Sequence, residues 1–279
     1  MNKIVKKQVL NDQVTLMEVE APRIARKGEP GQFIILRVNE QGERIPLTVA
    51  EYNREAGTIT IIFQIVGATT MELNELNEGD YILDVAGPLG VASETEGIKR
   101  AAVIGGGLGC AIAYPQAKKL HSLGAHVDMI AGFRNKDLII LEDEMRNASS
   151  RLFVMTDDGS NGNKGFVTDK LKELLESGER YDVVIAIGPL IMMKFVAATT
   201  KPYNQKTVVS MNPIMIDGTG MCGGCRLTVD GKVKFACVDG PDFDGHLVDF
   251  DEAIRRAGMY KEQETRAREE HCRLMQQAQ

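Results

Sequence analysis

Along the first hundred residues, apolar and polar positions alternate in short segments. Ile4–Val9, Val14–Val19, Phe33–Val38, Thr58–Gln64 and Tyr81–Val85 each carry this pattern, with Asn11-Asp12, Pro30-Gly31 and Gly79-Asp80 as punctuation. Successive side chains of a strand point to opposite faces, so the pattern predicts half-buried strands. Five or six strands at this spacing predict a small antiparallel β-barrel. Within the region only Thr69–Leu76 looks helical, with Leu73 and Leu76 on its apolar side.

The rhythm changes at Lys99. Ala101–Ile104 is a short apolar run that leads into Gly105-Gly106-Gly107-Leu108-Gly109 and a helical segment to Leu123, where Pro115 predicts a late start or a kink. Next come a strand at Val127–Ala131, a helix around Leu138–Arg146, a strand at Leu152–Met155, a helix over Val167–Ser177 and a strand at Val183–Ile187. This alternation predicts a Rossmann-like parallel α/β sheet. After Asn212-Pro213, Leu227–Val229 and Val233–Ala236 flank Asp230-Gly231, a type I′ hairpin signal. A charged, helix-like tail runs from Asp251, weakened at Gly258. The expected units are a barrel over 1–98, an α/β domain over 99–211, a cysteine module over 212–248 and a helical tail over 249–279.

Composition narrows the function classes. A chain of 279 residues, 43% hydrophobic and 26% charged, can bury more than one core. A formal charge of −6 with dispersed basic residues argues against a nucleic-acid or anionic-membrane surface. No run approaches the roughly 18 apolar residues of a membrane span. The N-terminal MNKIVKKQVLNDQ turns polar before a signal-peptide core could form, which predicts a cytoplasmic protein. Three of the five cysteines cluster, a pattern that suits a metal site in a reducing compartment better than a disulfide framework.

The candidate chemistry lies in loops. Cys222 and Cys225 form a C-x-x-C with two glycines between them, and Cys237 follows the hairpin. Thiols in a tight Gly-rich turn can converge on one centre, zinc or iron–sulfur. Asp217 is the nearest candidate for a fourth ligand and His246 a more distant one. The Gly105–Gly109 loop, between a strand and a helix, suits a phosphate, although Cys110 stands where a full G-x-G-x-x-G would end. Asp157-Asp158-Gly159 and Gly188-Pro189 also follow strands, where open α/β sheets place their ligands. In the barrel, Arg44 and the Gly67-Ala68-Thr69-Thr70 helix start could hold a pyrophosphate.

Taken jointly, R-x-P-L-T, F-Q-I-V-G-x-T-T, G-G-G-L-G, T-D-D-G-S, G-P-x-x-M-M and the cysteine module resemble the ferredoxin reductase-like flavoproteins over essentially the whole chain. Within them the order of motifs is similar to the small (alpha) subunits of NADH-dependent reduced ferredoxin:NADP oxidoreductase, or sulfide dehydrogenase. Dihydroorotate dehydrogenase electron-transfer subunits are related. The resemblance implies three cofactors: FAD, a [2Fe–2S] cluster and NAD(H). It places Arg44, Pro46, Leu47 and Thr48 near the isoalloxazine and ribityl chain, Gln64 and Val66 along the ring, and Gly67, Thr69 and Thr70 near the pyrophosphate. Gly105, Gly106, Gly107, Leu108, Gly109, Asp157, Asp158, Gly159, Gly188 and Pro189 would bind the nicotinamide nucleotide, with Phe133 and Arg134 at its adenosine half. Cys222, Cys225, Cys237 and Asp217 would hold the cluster.

The resemblance further implies that a hydride moves by cofactor positioning without a catalytic acid or base, and that single electrons pass through the cluster. The implied partner is a larger iron–sulfur flavoprotein subunit in a heterodimer or higher assembly, reaching ferredoxin indirectly by flavin-based electron bifurcation. Two departures stand out. Ile187 occupies the position before Gly188-Pro189 where many such proteins carry cysteine, and the module offers three cysteines where dihydroorotate dehydrogenase subunits use four. A dihydroorotate dehydrogenase electron-transfer subunit and a non-enzymatic zinc-containing nucleotide-binding module remain the alternatives. Cys110, Met192 and Met193 read as packed residues and Cys272 as incidental. His121, His126, His246 and His271 form no cluster.

Overall fold

The computed structural model describes residues 1–277. Its first unit contains β1 (Asn2–Asn11), β2 (Val14–Glu20), α1 (Pro22–Lys27), β3 (Phe33–Arg37), β4 (Ile45–Asn53), β5 (Thr58–Gln64), α2 (Ala68–Glu75), β6 (Tyr81–Ile82) and β7 (Asp84–Leu89). The strands form one antiparallel sheet in the order β6-β1-β2-β5-β4-β3-β7. Only Leu83 separates β6 from β7, and this one stretch pairs with β1 at one edge and β3 at the other. The sheet thus returns on itself as a nearly closed barrel, which leaves few unpaired edge groups. Ile4, Met17, Ile34, Ile59, Ile61 and Phe63 fill its interior.

The second unit contains β8 (Arg100–Gly106), α3 (Gly109–Ser122), β9 (His126–Phe133), α4 (Glu142–Asn147), β10 (Arg151–Thr156), α5 (Val167–Glu176), β11 (Val183–Ile187), α6 (Leu190–Thr200) and β12 (Thr207–Ser210). Then come β13 (Arg226–Val229), β14 (Lys232–Phe235), α7 (Ala236–Asp239), β15 (Asp242–Asp244), α8 (Phe250–Ala257) and α9 (Lys261–Gln277). The sheet order is β10-β9-β8-β11-β12-β15, parallel except for β15. The chain leaves β8 toward β9 on one side and later returns to β11 on the other. The C-terminal ends of β8 and β11 therefore flank a topological switch point, where such sheets open a crevice.

One face of the sheet packs on α3 and α4, together with Val14, Ala50 and Ile62 of the barrel. The other packs on α5, α6 and α8, and its core continues through Cys225, Leu227, Ala236 and Cys237. The cysteine module is thus built onto the nucleotide sheet. Its hairpin turn has φ 51° at Asp230 and 67° at Gly231, as a type I′ turn demands.

Two expectations are corrected. Helix α3 does not start late: it begins at Gly109 and runs through a buried Pro115, whose packing offsets the backbone bond it cannot make. The helix expected over Leu138–Arg146 is split, because Leu141 adopts φ 55° between a short turn at Lys136–Leu138 and α4. Met193 is buried in the core as expected, while Met192 packs against that core only partly buried, its sulfur 2.4 Å from where a Cβ on Gly106 would lie.

At the opposite end of the sheet, fully enclosed Asp128 accepts from Arg151 at 2.6 and 2.5 Å and from the Tyr181 hydroxyl at 2.7 Å. Burial opposes its ionisation, but the Arg151 and Tyr181 hydrogen bonds outweigh this and hold its carboxyl below the usual range. A depressed carboxyl contributes stability above its unfolded value, about pH 4, that is lost as pH falls through the folded value. Asp128→Asn should cost about 1–3 kcal/mol at neutral pH, nearer the low end because Arg151 stays partly solvated. Urea midpoints at neutral and acidic pH test this, and the variant's deficit should shrink at low pH.

Candidate functional site

A cavity of about 940 Å³ lies between the barrel and the switch point of the parallel sheet. Pro46, Leu47 and Thr48 of β4 and Gln64 at the end of β5 form its barrel wall. Gly106, Gly107, Leu108 and Gly109 enter from β8 and α3, Phe133 and Arg134 from the end of β9, Asp157 from the end of β10, and Gly188 and Pro189 from the end of β11. Thirteen of the barrel and sheet positions singled out in the sequence thus share one enclosure.

The glycine loop is shaped by close approach. A Cβ on Gly109 would lie 2.3 Å from the Ile187 carbonyl oxygen and 2.7 Å from Gly188 Cα. The absence of side chains there lets the start of α3 pack directly on the end of β11 and present its N-terminus to the cavity. Gly107 takes φ 56°, donates its N–H to the Gly132 carbonyl at 2.8 Å and faces open space. Such a bare loop at a helix start can let a phosphate approach the helix N-terminus.

Other singled-out positions lie elsewhere. Arg44 lines a separate recess of about 330 Å³ with Arg37 and Asp84, so the large cavity does not receive it. Gly105 is buried behind Cys110, whose thiol burial pushes up to about 12. The Thr70 hydroxyl accepts from the Val66 and Gly67 amides, both at 3.0 Å, and so caps α2. Thr69 donates to Glu43 at 3.4 Å. Neither threonine, nor Val66 or Gly67, borders the cavity. Asp158 and Gly159 shape the turn after β10, where hydrogen bonds from Ser160 hold the exposed Asp158 carboxyl below its usual range.

Some cavity residues carried no motif. Asn11 was read only as turn punctuation, yet it lines the cavity and its Nδ2 is enclosed without a partner among the described residues. Phe166, Ile191 and Phe195 line it too while remaining more than half exposed, which places them at its mouth. An exposed phenylalanine just before a helix was the available signal for Phe166, and chain position alone could not distinguish it from a surface residue.

In the cysteine module, Cys225 and Cys237 are both buried with their sulfurs 3.2 Å apart. Burial, then the Cys225 thiol beside it, pushes the Cys237 thiol up to about 12. Two enclosed sulfurs facing each other suit a cationic metal centre, which favours both thiolates. Cys222 is exposed on the same loop. Asp217 accepts from the Thr219 and Cys222 amides, each at 2.6 Å, and these bonds, the Thr219 amide foremost, lower its carboxyl. The loop is therefore folded around Asp217, but among the described residues no three potential ligands converge on one point. His246 Nε2 lies 2.9 Å from the Thr200 hydroxyl, a contact that occupies the alternative fourth ligand. The three thiols on this loop system are the donor type that suits an iron–sulfur cluster, with the Asp217 carboxylate on the same loop.

Residues 212–249 match the family model described as the iron–sulfur cluster binding domain of dihydroorotate dehydrogenase B. A Thermotoga maritima protein named as a homologue of the dihydroorotate dehydrogenase B (NAD(+)) electron transfer subunit is 47% identical, covering 95% of this chain and 93% of its own. The chain belongs to the dihydroorotate dehydrogenase B electron-transfer subunit family. Another member-like relative, an uncharacterized protein in the adh 3′ region of Clostridium beijerinckii, is 54% identical over 96% of this chain and 93% of its own. A solved structure of the NADH-dependent reduced ferredoxin-NADP oxidoreductase, described for flavin-based electron bifurcation, has a chain that is 46% identical. It superposes with a TM-score of 0.91 over 97% of both chains. This family membership makes the protein an electron-transfer oxidoreductase subunit. Among the described residues no helix is long and apolar enough to cross a membrane.

Proposed function

We propose that this chain is the NAD(H)-oxidising small subunit of a bifurcating NADH-dependent reduced ferredoxin:NADP oxidoreductase, carrying FAD and a [2Fe–2S] cluster. The observation that carries this reading is the agreement along 97% of both chains with the solved oxidoreductase. FAD, when bound, supplies the conversion between two-electron and one-electron transfer. The chain supplies position: Pro46, Leu47 and Thr48 wall one side of the cavity, while the Gly106–Gly109 loop and Gly188-Pro189 present bare backbone on the other. Close stacking between such walls serves hydride transfer, which needs orientation more than an acid or base. The lining is mostly apolar.

The module built around Cys222, Cys225 and Cys237 would carry single electrons outward, with Asp217 proposed as the fourth ligand. Ile216, Met221 and Val238 surround that loop with exposed apolar side chains, a surface suited to a larger iron–sulfur flavoprotein subunit through which ferredoxin is reached. The family model and the Thermotoga maritima name favour a second reading, in which the partner is a dihydroorotate-oxidising enzyme.

Two measurements test these readings. Purified protein should absorb in the blue and bleach on anaerobic addition of NADH. A colourless protein with stoichiometric zinc would exclude both electron-transfer readings. Affinity capture from the native host should recover an iron–sulfur flavoprotein; recovery of a dihydroorotate-oxidising enzyme would favour the second reading over the first.

A further inference from the structure

Beside the cavity lies a carboxyl group that hydride transfer does not use. Asp242 on β15 pairs across the strands with Ser210 of β12, and both Ser210 and Pro241 line the cavity. Asp242 Oδ2 accepts from the Ser93 hydroxyl at 2.6 Å. Its Oδ1 is shut off from solvent and has no hydrogen-bond partner among the described residues. Ser93 sits in the connection between barrel and sheet, flanked by exposed Ala92 and Glu94. Asp242 therefore stands between a hydroxyl in the cavity wall and a hydroxyl in a surface segment.

The environment of this carboxyl is unusual. Ser93, hydrogen-bonded to Oδ2, and Ser210, directly opposite on β12, are its polar neighbours, neither of them charged, and burial pushes the carboxyl above the usual carboxylate range. A buried carboxyl without a counter-cation favours its neutral form, and that form has a proton to pass on. The free Oδ1 leaves a position at which a proton from the Ser210 side can arrive.

The proposed function creates a demand for such a group. NADH yields NAD⁺, one proton and two electrons. The hydride brings the proton and both electrons into the cavity together, but electrons leaving singly through the iron–sulfur module leave the proton behind. That proton must leave for each NADH oxidised.

Resting on that reading, we propose that Ser210, Asp242 and Ser93 form the proton exit from the cavity to the surface. Ser210 takes a proton from the cavity and releases its own to Asp242 Oδ1. Asp242 passes a proton to Ser93, which gives one to solvent. One proton crosses with no change in the electron count, and the chain is reset when the carboxyl proton now on Oδ1 returns to Oδ2 by rotation and the two hydroxyls turn back. Asp242 acts through Ser210 and is a relay residue.

The test uses the purified protein with its cofactors. It is reduced anaerobically by one equivalent of NADH and reoxidised by ferricyanide, a one-electron acceptor, in stopped flow. Asp242→Asn, which keeps an acceptor for Ser93 but cannot carry the proton, should slow reoxidation about a hundredfold, the low side of what a positioned proton carrier supplies. The infrared spectrum of the oxidised protein should contain a protonated-carboxyl band that this variant loses, a signature that a merely structural defect would not remove selectively. Should Asp242→Asn lose its cofactors, Ser93→Ala keeps the carboxyl and should slow the same phase several-fold. Reoxidation at the wild-type rate in both variants, or a carboxyl band unchanged in Asp242→Asn, overturns the relay while leaving the cofactor reading intact. Failure of NADH to bleach the wild-type protein overturns the cofactor reading and the relay with it.

Discussion

Replacing Gly109 with alanine is expected to destabilise the fold and abolish bleaching by NADH together. The added Cβ would lie 2.3 Å from the Ile187 carbonyl oxygen, 2.7 Å from Gly188 Cα and 2.8 Å from the Ile187 carbonyl carbon. All three are backbone atoms at and just beyond the end of β11, so no side-chain rotation relieves the clash. Helix α3 must move away from β11, at a cost of about 1–3 kcal/mol for overpacking. The same displacement separates the two loops that flank the crevice, so the nucleotide site opens where it should be tightest. Urea unfolding and NADH titration of one preparation test both effects. Wild-type stability with normal bleaching would show that the helix start is not held against the strand end as described.

Cys225→Ala should remove the iron altogether. Cys225 and Cys237 are the buried pair, and a site of four donors that loses an enclosed thiol has no replacement within the core. The iron-to-protein ratio should fall to background and the blue iron–sulfur absorption should vanish, while flavin bands remain because the barrel wall is untouched. Asp217→Ala should act differently. Its carboxylate organises the loop through the Thr219 and Cys222 amides, so the variant loses both a proposed ligand and the bonds that shape the turn. Partial iron loss with an altered spectrum is expected. An unchanged spectrum would eliminate Asp217 as a ligand and leave it a structural residue of the loop.

Sequence periodicity exposed the repeated local choices of the fold. Half-buried strands of the barrel and the strand–helix alternation of the sheet are visible because burial on one face imposes a period. Short elements were not visible: α1 has six residues and β15 has three. The nine-residue β4 was missed for another reason, since its first six positions are four half-buried residues followed by two buried ones, without the alternation a strand normally shows. Leu141 splits a helix because a left-handed residue need not be glycine, and only the packed structure selects it.

In the site, glycine loops at strand ends were legible because a bare backbone has few other uses there. The barrel motif was legible only in part, since Pro46, Leu47 and Thr48 reach the cavity whereas Arg44 faces a different recess. Asn11, Ser210 and Asp242 left no sequence signal, because their roles come from strands that meet only after the chain has folded.

The shared enclosure also has a thermodynamic consequence. Barrel and sheet wall a single cavity, so a flavin and a nicotinamide nucleotide would each form part of the other's binding surface. Their affinities are then linked, and the linkage is reciprocal: whatever factor the flavin contributes to nucleotide affinity, the nucleotide returns to the flavin. A substitution at Leu47, on the barrel side, should therefore alter nucleotide affinity without touching the nucleotide loops, and saturating nucleotide should slow loss of flavin.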